Sequence, residues 1–115
     1  MANRGKAIVD GEPDLMNSET YTMVTEKVPV KFDVYVDTPV PSLKGGWGIT
    51  DDFVVEGVQF VGWMGMGGSV FLWNDEHKIG FGYSMNAMLP TMIAPDKRSM
   101  SILTAIVKQV LTKKA

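Results

Sequence analysis

Cysteine is absent from this 115-residue chain, which excludes disulfide frameworks, thiolate zinc sites and cysteine nucleophiles together. Histidine occurs once, so a histidine-based metal cluster lacks ligands, and neither a metal nor another cofactor is implied. A surplus of charge is missing as well. With 11 basic and 13 acidic residues the net charge is −2, without the basic footprint that nucleic acid or an anionic lipid surface requires. Long apolar runs are also lacking. The longest uncharged stretch, Gly57 to Asn74, falls short of the ~20 apolar residues of a membrane-spanning helix and is broken by five glycines. The first residues, Met1-Ala2-Asn3-Arg4-Gly5-Lys6, carry no apolar core of a secretory signal, so a cytoplasmic or organelle-matrix setting is the default expectation. What is present suits packing: 45% hydrophobic and 21% charged residues are the proportions of a globular chain, and the length fits one small domain.

Local patterns divide the chain. Residues up to Asp14 hold Gly5, Gly11 and Pro13 and read as turns around a short extended piece, Ala7-Ile8-Val9. Asn17 ahead of Ser18-Glu19 is an N-cap followed by an acidic first turn, which predicts a short helix over 18–26. Val30, Phe32, Val34 and Val36 recur at period two and predict a strand or extended loop with one buried face, kept at an edge by Pro29 and Pro39. Pro39 to Gly46 reads as a loop. Phe53 to Val61 is β-branched and aromatic and reads as a strand. Ser69 to Trp73 and Ile79 to Met85 flank the polar cluster Asn74 to Lys78, the pattern of a hairpin. After Pro95-Asp96, apolar residues at Met100, Leu103, Ile106, Val107, Val110 and Leu111 predict an amphipathic helix over 97–113. The expected architecture is α+β, an antiparallel sheet covered on one face by the C-terminal helix.

Glycines concentrate in Gly62-Trp63-Met64-Gly65-Met66-Gly67-Gly68-Ser69. A phosphate loop fits the spacing of Gly62 and Gly67 and the hydroxyl of Ser69, but Gly68 replaces its lysine and no helical pattern follows. A dinucleotide fingerprint fails because Val70 occupies the place of its last glycine. Spacing alone also fits a plain glycine-rich turn or bulge leading into a strand.

Taken with its flanks, the segment carries a further signal. Phe60-Val61-Gly62-Trp63-Met64-Gly65-Met66-Gly67-Gly68-Ser69, then Val70-Phe71-Leu72-Trp73, a turn at Asp75-Glu76-His77, and Ile79-Gly80-Phe81-Gly82-Tyr83-Ser84-Met85-Asn86 resemble the C-terminal portion of the serine β-lactamase-related hydrolases. That group includes class C β-lactamases, carboxylesterases and the β-lactamase-like proteins of animals. Leu15 to Thr20 and Gly46-Trp47-Gly48-Ile49 resemble the stretch that precedes the signature. The resemblance implies part of the β-lactamase/transpeptidase-like fold, with residues 1–115 as the incomplete C-terminal part of a larger domain. It implies that a [Lys/His/Trp]-x-Gly strand forms one wall of an active site for esters or amides. Trp63 then takes the Lys or His place, Met64 follows, Gly65 keeps the wall open, and the Met66 N–H is the candidate oxyanion donor. Gly67, Gly68 and Ser69 form the structural turn. An uncharged residue at 63 favours esters or apolar acyl groups over a substrate carboxylate.

The group's nucleophile is the Ser of Ser-x-x-Lys, and a Tyr-x-Asn motif transfers a second proton. Ser18, Ser42, Ser69, Ser84, Ser99 and Ser101 each lack a Lys three residues on, and Tyr21, Tyr35 and Tyr83 each lack an Asn two residues on. No catalytic residue is therefore expected in this chain, which should not acylate alone. The rival expectation is a non-catalytic remnant or interaction module that pairs through a sheet edge. Expected partnerships are self-association or pairing with a complementary chain, not nucleic acid. Among other residues, His77 with Asp75 and Glu76 reads as a solvated turn, as do Asp51-Asp52 before a strand. The nine methionines fill irregular core gaps or line an acyl pocket, and Trp47 and Trp73 read as core or edge-covering aromatics.

Overall fold

A computed structural model describes residues 16–35, 37–46, 48, 53–65, 67–87 and 96–114. The readings made above for Ala7-Ile8-Val9, Val36, Trp47, Ile49, Asp51-Asp52 and Met66 lie outside them. Chain order among the described residues is α1 (Ser18–Val24), β1 (Lys27–Asp33), β2 (Thr38–Leu43), β3 (Val54–Val55), β4 (Val58–Gln59), β5 (Val61–Met64), β6 (Val70–Asn74), β7 (Ile79–Tyr83) and α2 (Lys97–Lys114). The class is α+β. The strands form three small antiparallel sheets, ordered β1-β2, β3-β4 and β5-β6-β7, rather than one continuous sheet.

The predicted cap is present. Asn17 accepts a hydrogen bond from the Thr20 N–H at 2.7 Å, and Glu19 lies in the first turn of α1, where negative charge complements the helix dipole. The predicted strand over Phe53 to Val61 instead folds back on itself at Glu56-Gly57. Both residues have left-handed backbone, φ 51° and 79°, the signature of a two-residue type I′ turn. The burial pattern explains the reversal. Phe53, Val55, Val58 and Phe60 are all buried, and in one continuous strand the first two would face opposite to the last two. The turn resets the alternation: Val55 pairs with Val58, the Phe60 N–H donates to the Phe53 carbonyl at 2.8 Å, and all four side chains enter one core.

That core joins Phe53, Val55, Val58, Phe60, Val70, Leu72, Ile79 and Phe81 to Leu103 and Val107 of α2. Helix α2 therefore covers one face of the β5-β6-β7 sheet, with Met100, Val110 and Leu111 packed at its margin. Ile106, expected in the apolar stripe, is 36% exposed, because it lies well to one side of the Leu103–Val107 line on the helix circumference. Among the described residues, no helix is long and apolar enough to cross a membrane.

Two expectations for residues 28–46 are corrected. Pro39 to Gly46 is largely strand: β2 pairs with β1, Phe32 opposite Pro39 and Lys31 opposite Val40. The prolines are tolerated because the ribbon has only two strands, so a missing N–H can face away from the ladder. The apolar alternation of β1 is also not buried; Val30 and Phe32 are each 59% exposed and Val34 80%, since no third layer covers this ribbon among the described residues.

Candidate functional site

Strand β5 places the glycine-rich segment at the margin of its sheet. Its register sets Val61 opposite Trp73, Trp63 opposite Phe71, and Met64 opposite Val70. Trp63 and Met64 consequently point to opposite faces. Met64 packs at the edge of the core, whereas Trp63 is 52% exposed on the face away from α2. Phe71 and Trp73 share that outer face, their ring centroids 5.9 Å apart and their planes inclined at 48°. Across from them β7 presents Gly82 and Gly80. Trp63 is thus the exposed member of this aromatic row, Phe71 is half-buried and Trp73 is buried.

The glycines of the segment differ in what demands them. At Gly62 the backbone has φ 154°, and a Cβ would lie 1.9 Å from the Phe71 carbonyl oxygen, so only glycine allows β5 to pair with β6. Gly68 has φ 102°, and a Cβ there would lie 2.5 Å from Asp96 Oδ2 and 2.9 Å from Asp96 Cβ. At Gly65, among the described residues, a Cβ would meet only Ser69, at 3.7 Å, an ordinary contact. Glycine is imposed at 62 and 68, and no described residue imposes it at 65. The turn is closed by the Gly65 N–H donating to the Ser69 carbonyl at 2.7 Å and the Gly68 N–H donating to the Gly65 carbonyl at 3.2 Å. Gly67 and Gly68 are buried and Ser69 half-buried. The candidate oxyanion donor, Met66, lies outside the described residues.

Beneath the turn sits a group the sequence reading treated only as a helix start. Asp96 is 2% exposed and caps α2, accepting from the Arg98 N–H at 2.7 Å. The Arg98 side chain binds the same carboxylate through Nε and, at 2.6 Å, through Nη2. Nη2 also donates to the Ala87 carbonyl at 3.1 Å and contacts Met85 Sδ at 2.7 Å. Side-chain hydrogen bonding to Arg98 holds the Asp96 carboxyl below its usual range, against the opposing pull of desolvation. One ion pair thus fastens the glycine turn, the end of β7 and the start of α2. A legible signal was available: an Asp two residues ahead of an Arg at a helix start can bind both its backbone and its side chain.

Two of the serine hydroxyls are held by backbone carbonyls. Ser99 Oγ donates to the Asp96 carbonyl at 2.9 Å and Ser101 Oγ to the Lys97 carbonyl at 2.7 Å, both bonds within or at the start of α2. His77 turns back onto Asn74: its N–H donates to Asn74 Oδ1 at 2.6 Å, and its Nδ1 lies 3.1 Å from the same oxygen. Among the described residues no group of three or more His, Asp or Glu could hold a metal ion. A second polar chain was not foreseen. The Tyr21 hydroxyl accepts from Trp73 Nε1 at 2.9 Å and donates to Asp75 Oδ2, tying α1 to the outer face of the sheet and covering buried Trp73.

No protein-family model matches this sequence, and no curated protein matches it.

Proposed function

We propose that this chain supplies one wall of a serine β-lactamase-like hydrolase acting on esters or amides with apolar acyl groups, and that the serine nucleophile is contributed from outside its 115 residues. The observation that carries the reading is the contrast among the glycines of β5 and its turn. Glycine at 62 and 68 is a requirement of packing, whereas at 65 a Cβ would meet only ordinary contact with Ser69 among the described residues. Gly65 stands directly after exposed Trp63 and Met64, where the hydrolase signature keeps a glycine so that substrate can approach the backbone. The exposed ring of Trp63, beside half-buried Phe71, suits an apolar acyl group. A backbone N–H one residue further on is the kind of donor that stabilises a tetrahedral oxyanion by about 2.7–4 kcal/mol.

The test has two arms. The isolated chain is expected to show no labelling by a serine-reactive fluorophosphonate and no hydrolysis of a chromogenic ester or cephalosporin; stoichiometric labelling at any of its six serines overturns the assignment of the nucleophile elsewhere. Translation of the coding DNA upstream of Met1 is expected to reveal Ser-x-x-Lys and Tyr-x-Asn in frame. Their absence favours the rival reading, a non-catalytic interaction module.

A further inference from the structure

Three residues in register cross the outer face of the β5-β6-β7 sheet: Trp63 stands opposite Phe71, and Phe71 opposite Gly82. Their neighbours on one side are Val61, Trp73 and Gly80, a row that α1 engages where the Tyr21 hydroxyl accepts from Trp73 Nε1. On the other side lies Gly65, which alternation places on the same face as Val61 and Trp63, its virtual Cβ against Ser69. None of these residues is charged. The row is open at both ends, since Trp63 is 52% exposed and Gly82 is exposed.

Trp63 is held in place rather than loose. A Cβ built at Gly48 would lie 3.3 Å from Cε3 and 3.4 Å from Cζ3 of its ring, so the Gly48 backbone sits against that edge of the indole. Gly48 is itself fixed by its bridge to Ser42 and by its carbonyl, which accepts from the Gly62 N–H at 3.3 Å. The Trp63 Nε1–H makes no hydrogen bond among the described residues, in contrast to that of Trp73. At the far end, Gly82 is glycine without a local reason. Its φ lies outside the left-handed region, and a Cβ there would meet nothing within 4 Å. Glycine weakens a strand interior and marks close approach of another group.

We propose that this row is the acyl subsite of the hydrolase wall, and that the acyl group it takes ends in an aromatic ring. The proposal rests on the hydrolase reading given above. A neutral ring is selected because neither this row nor its neighbours carries charge. An aromatic ring is selected because the open surface is a pre-positioned π face: an alkyl chain gains only buried area there, whereas an aromatic ring adds offset stacking. The spacing sets the tether. Trp63 and Gly65 are one pleat repeat apart, about 6.8 Å, so a linker of about two or three carbons separates the ring stacked on Trp63 from a scissile carbonyl beside Gly65. The substrate class is therefore an arylalkanoyl ester or amide, its ring lying over the row with one edge toward Gly82.

The isolated chain tests the subsite, because binding needs no nucleophile. Phenylpropanamide, an unreactive arylalkanoyl probe, is titrated into the nitrogen-labelled chain while the resonances of its three indole N–H groups are followed, that of Trp63 being assigned by its loss in Trp63→Leu. The Trp63 resonance is expected to shift the most and to saturate with a dissociation constant on the order of 1 mM. Cyclohexylpropanamide, whose saturated ring cannot stack, should bind about fivefold more weakly. Trp63→Leu should abolish the saturable shifts of the Gly65 and Gly82 amides at an unchanged thermal melt, since Trp63 is exposed. Gly82→Val should weaken binding about threefold or more while keeping or raising the melting temperature, because valine suits a strand better than glycine. An undisturbed Trp63 resonance up to about 10 mM probe, or equal binding of the two amides, overturns the proposal. So does unchanged binding by Gly82→Val, which would remove the ring from this row. These results do not depend on acylation: a chain that binds the aromatic probe selectively but has no Ser-x-x-Lys upstream keeps the ring subsite and loses the hydrolase reading.

Discussion

Phe60, in the link between β4 and β5, and Phe32, on β1, both belong to short antiparallel segments, yet Phe60 is fully buried and Phe32 is 59% exposed. The difference lies in what lies over each strand. Strands β3 to β7 turn their apolar faces toward α2, whose Leu103 and Val107 are fully buried, so alternation in sequence becomes burial in space. The β1-β2 ribbon is anchored at its base: Leu43 is buried, the Lys44 N–H donates to the Glu26 carbonyl at 2.9 Å, and the Gly45 N–H donates to the Val24 carbonyl at 2.9 Å. Beyond that base no helix covers it among the described residues. A period-two pattern thus specifies which residues share a face, and a second layer decides whether that face is dry.

The sharpest way to break this comparison is at the two sites with the least room. Gly62→Ala must separate β5 from β6 to relieve the 1.9 Å approach to Phe71, and is expected to cost more than about 4 kcal/mol and abolish the cooperative melt. Phe60→Ala should cost about 3–5 kcal/mol in urea denaturation through the cavity it leaves. A smaller but more discriminating pair follows. Gly68→Ala should cost roughly 2–4 kcal/mol, combining an unfavourable positive φ with the collision at Asp96, while Gly65→Ala should change stability by less than about 0.5 kcal/mol. Equal costs at 65 and 68 would remove the argument that glycine 65 is free for a substrate.

Tyr21→Phe deletes both bonds of the Trp73–Tyr21–Asp75 chain and should cost about 1–2 kcal/mol, read as a lower urea midpoint at unchanged slope. Acid should act through Asp96. Its carboxyl is held below the ordinary value of 3.8 in the folded chain, so its contribution is complete above about pH 4 and is lost as pH falls through the lowered value. Asp96→Asn should flatten the loss of stability in that window, as followed by melting temperature between neutral and acid pH; an unaltered acid profile would show that the Arg98 pair is not its source. The smallest effect belongs to the ribbon. Phe32→Ala should leave monomer stability within about 0.5 kcal/mol, and a cost comparable with that of Phe60→Ala would show the ribbon to be core after all.

Much of the covered half was legible in the sequence. Asn17 and Glu19 marked the start of α1, the polar cluster around Asp75 marked the β6-β7 turn, and Leu103, Val107, Val110 and Leu111 marked the inward face of α2. Each signal is local, carried by a cap, a turn or one periodicity. The candidate wall was legible only as a string, since spacing gave Trp63, Gly65 and the Gly67-Gly68-Ser69 turn but not which glycine was compulsory. The Asp96–Arg98 fastening and the Tyr21 chain escaped because the groups they hold are 11 to 54 residues apart.

By itself the sequence determined the α+β class, the hairpin at 70–83, the C-terminal helix and the absence of a Ser-x-x-Lys or Tyr-x-Asn motif, because each depends on residues within one turn or one strand. Only the tertiary structure decided that Phe53 to Phe60 reverses at Glu56-Gly57, that Val30 and Phe32 face solvent, and that glycine is obligatory at 62 and 68 but unconstrained at 65 by the described residues. Those outcomes depend on which backbone or side chain stands opposite: the parity of a shared core for the turn, the missing second layer for the ribbon, and Phe71 or Asp96 against the glycines.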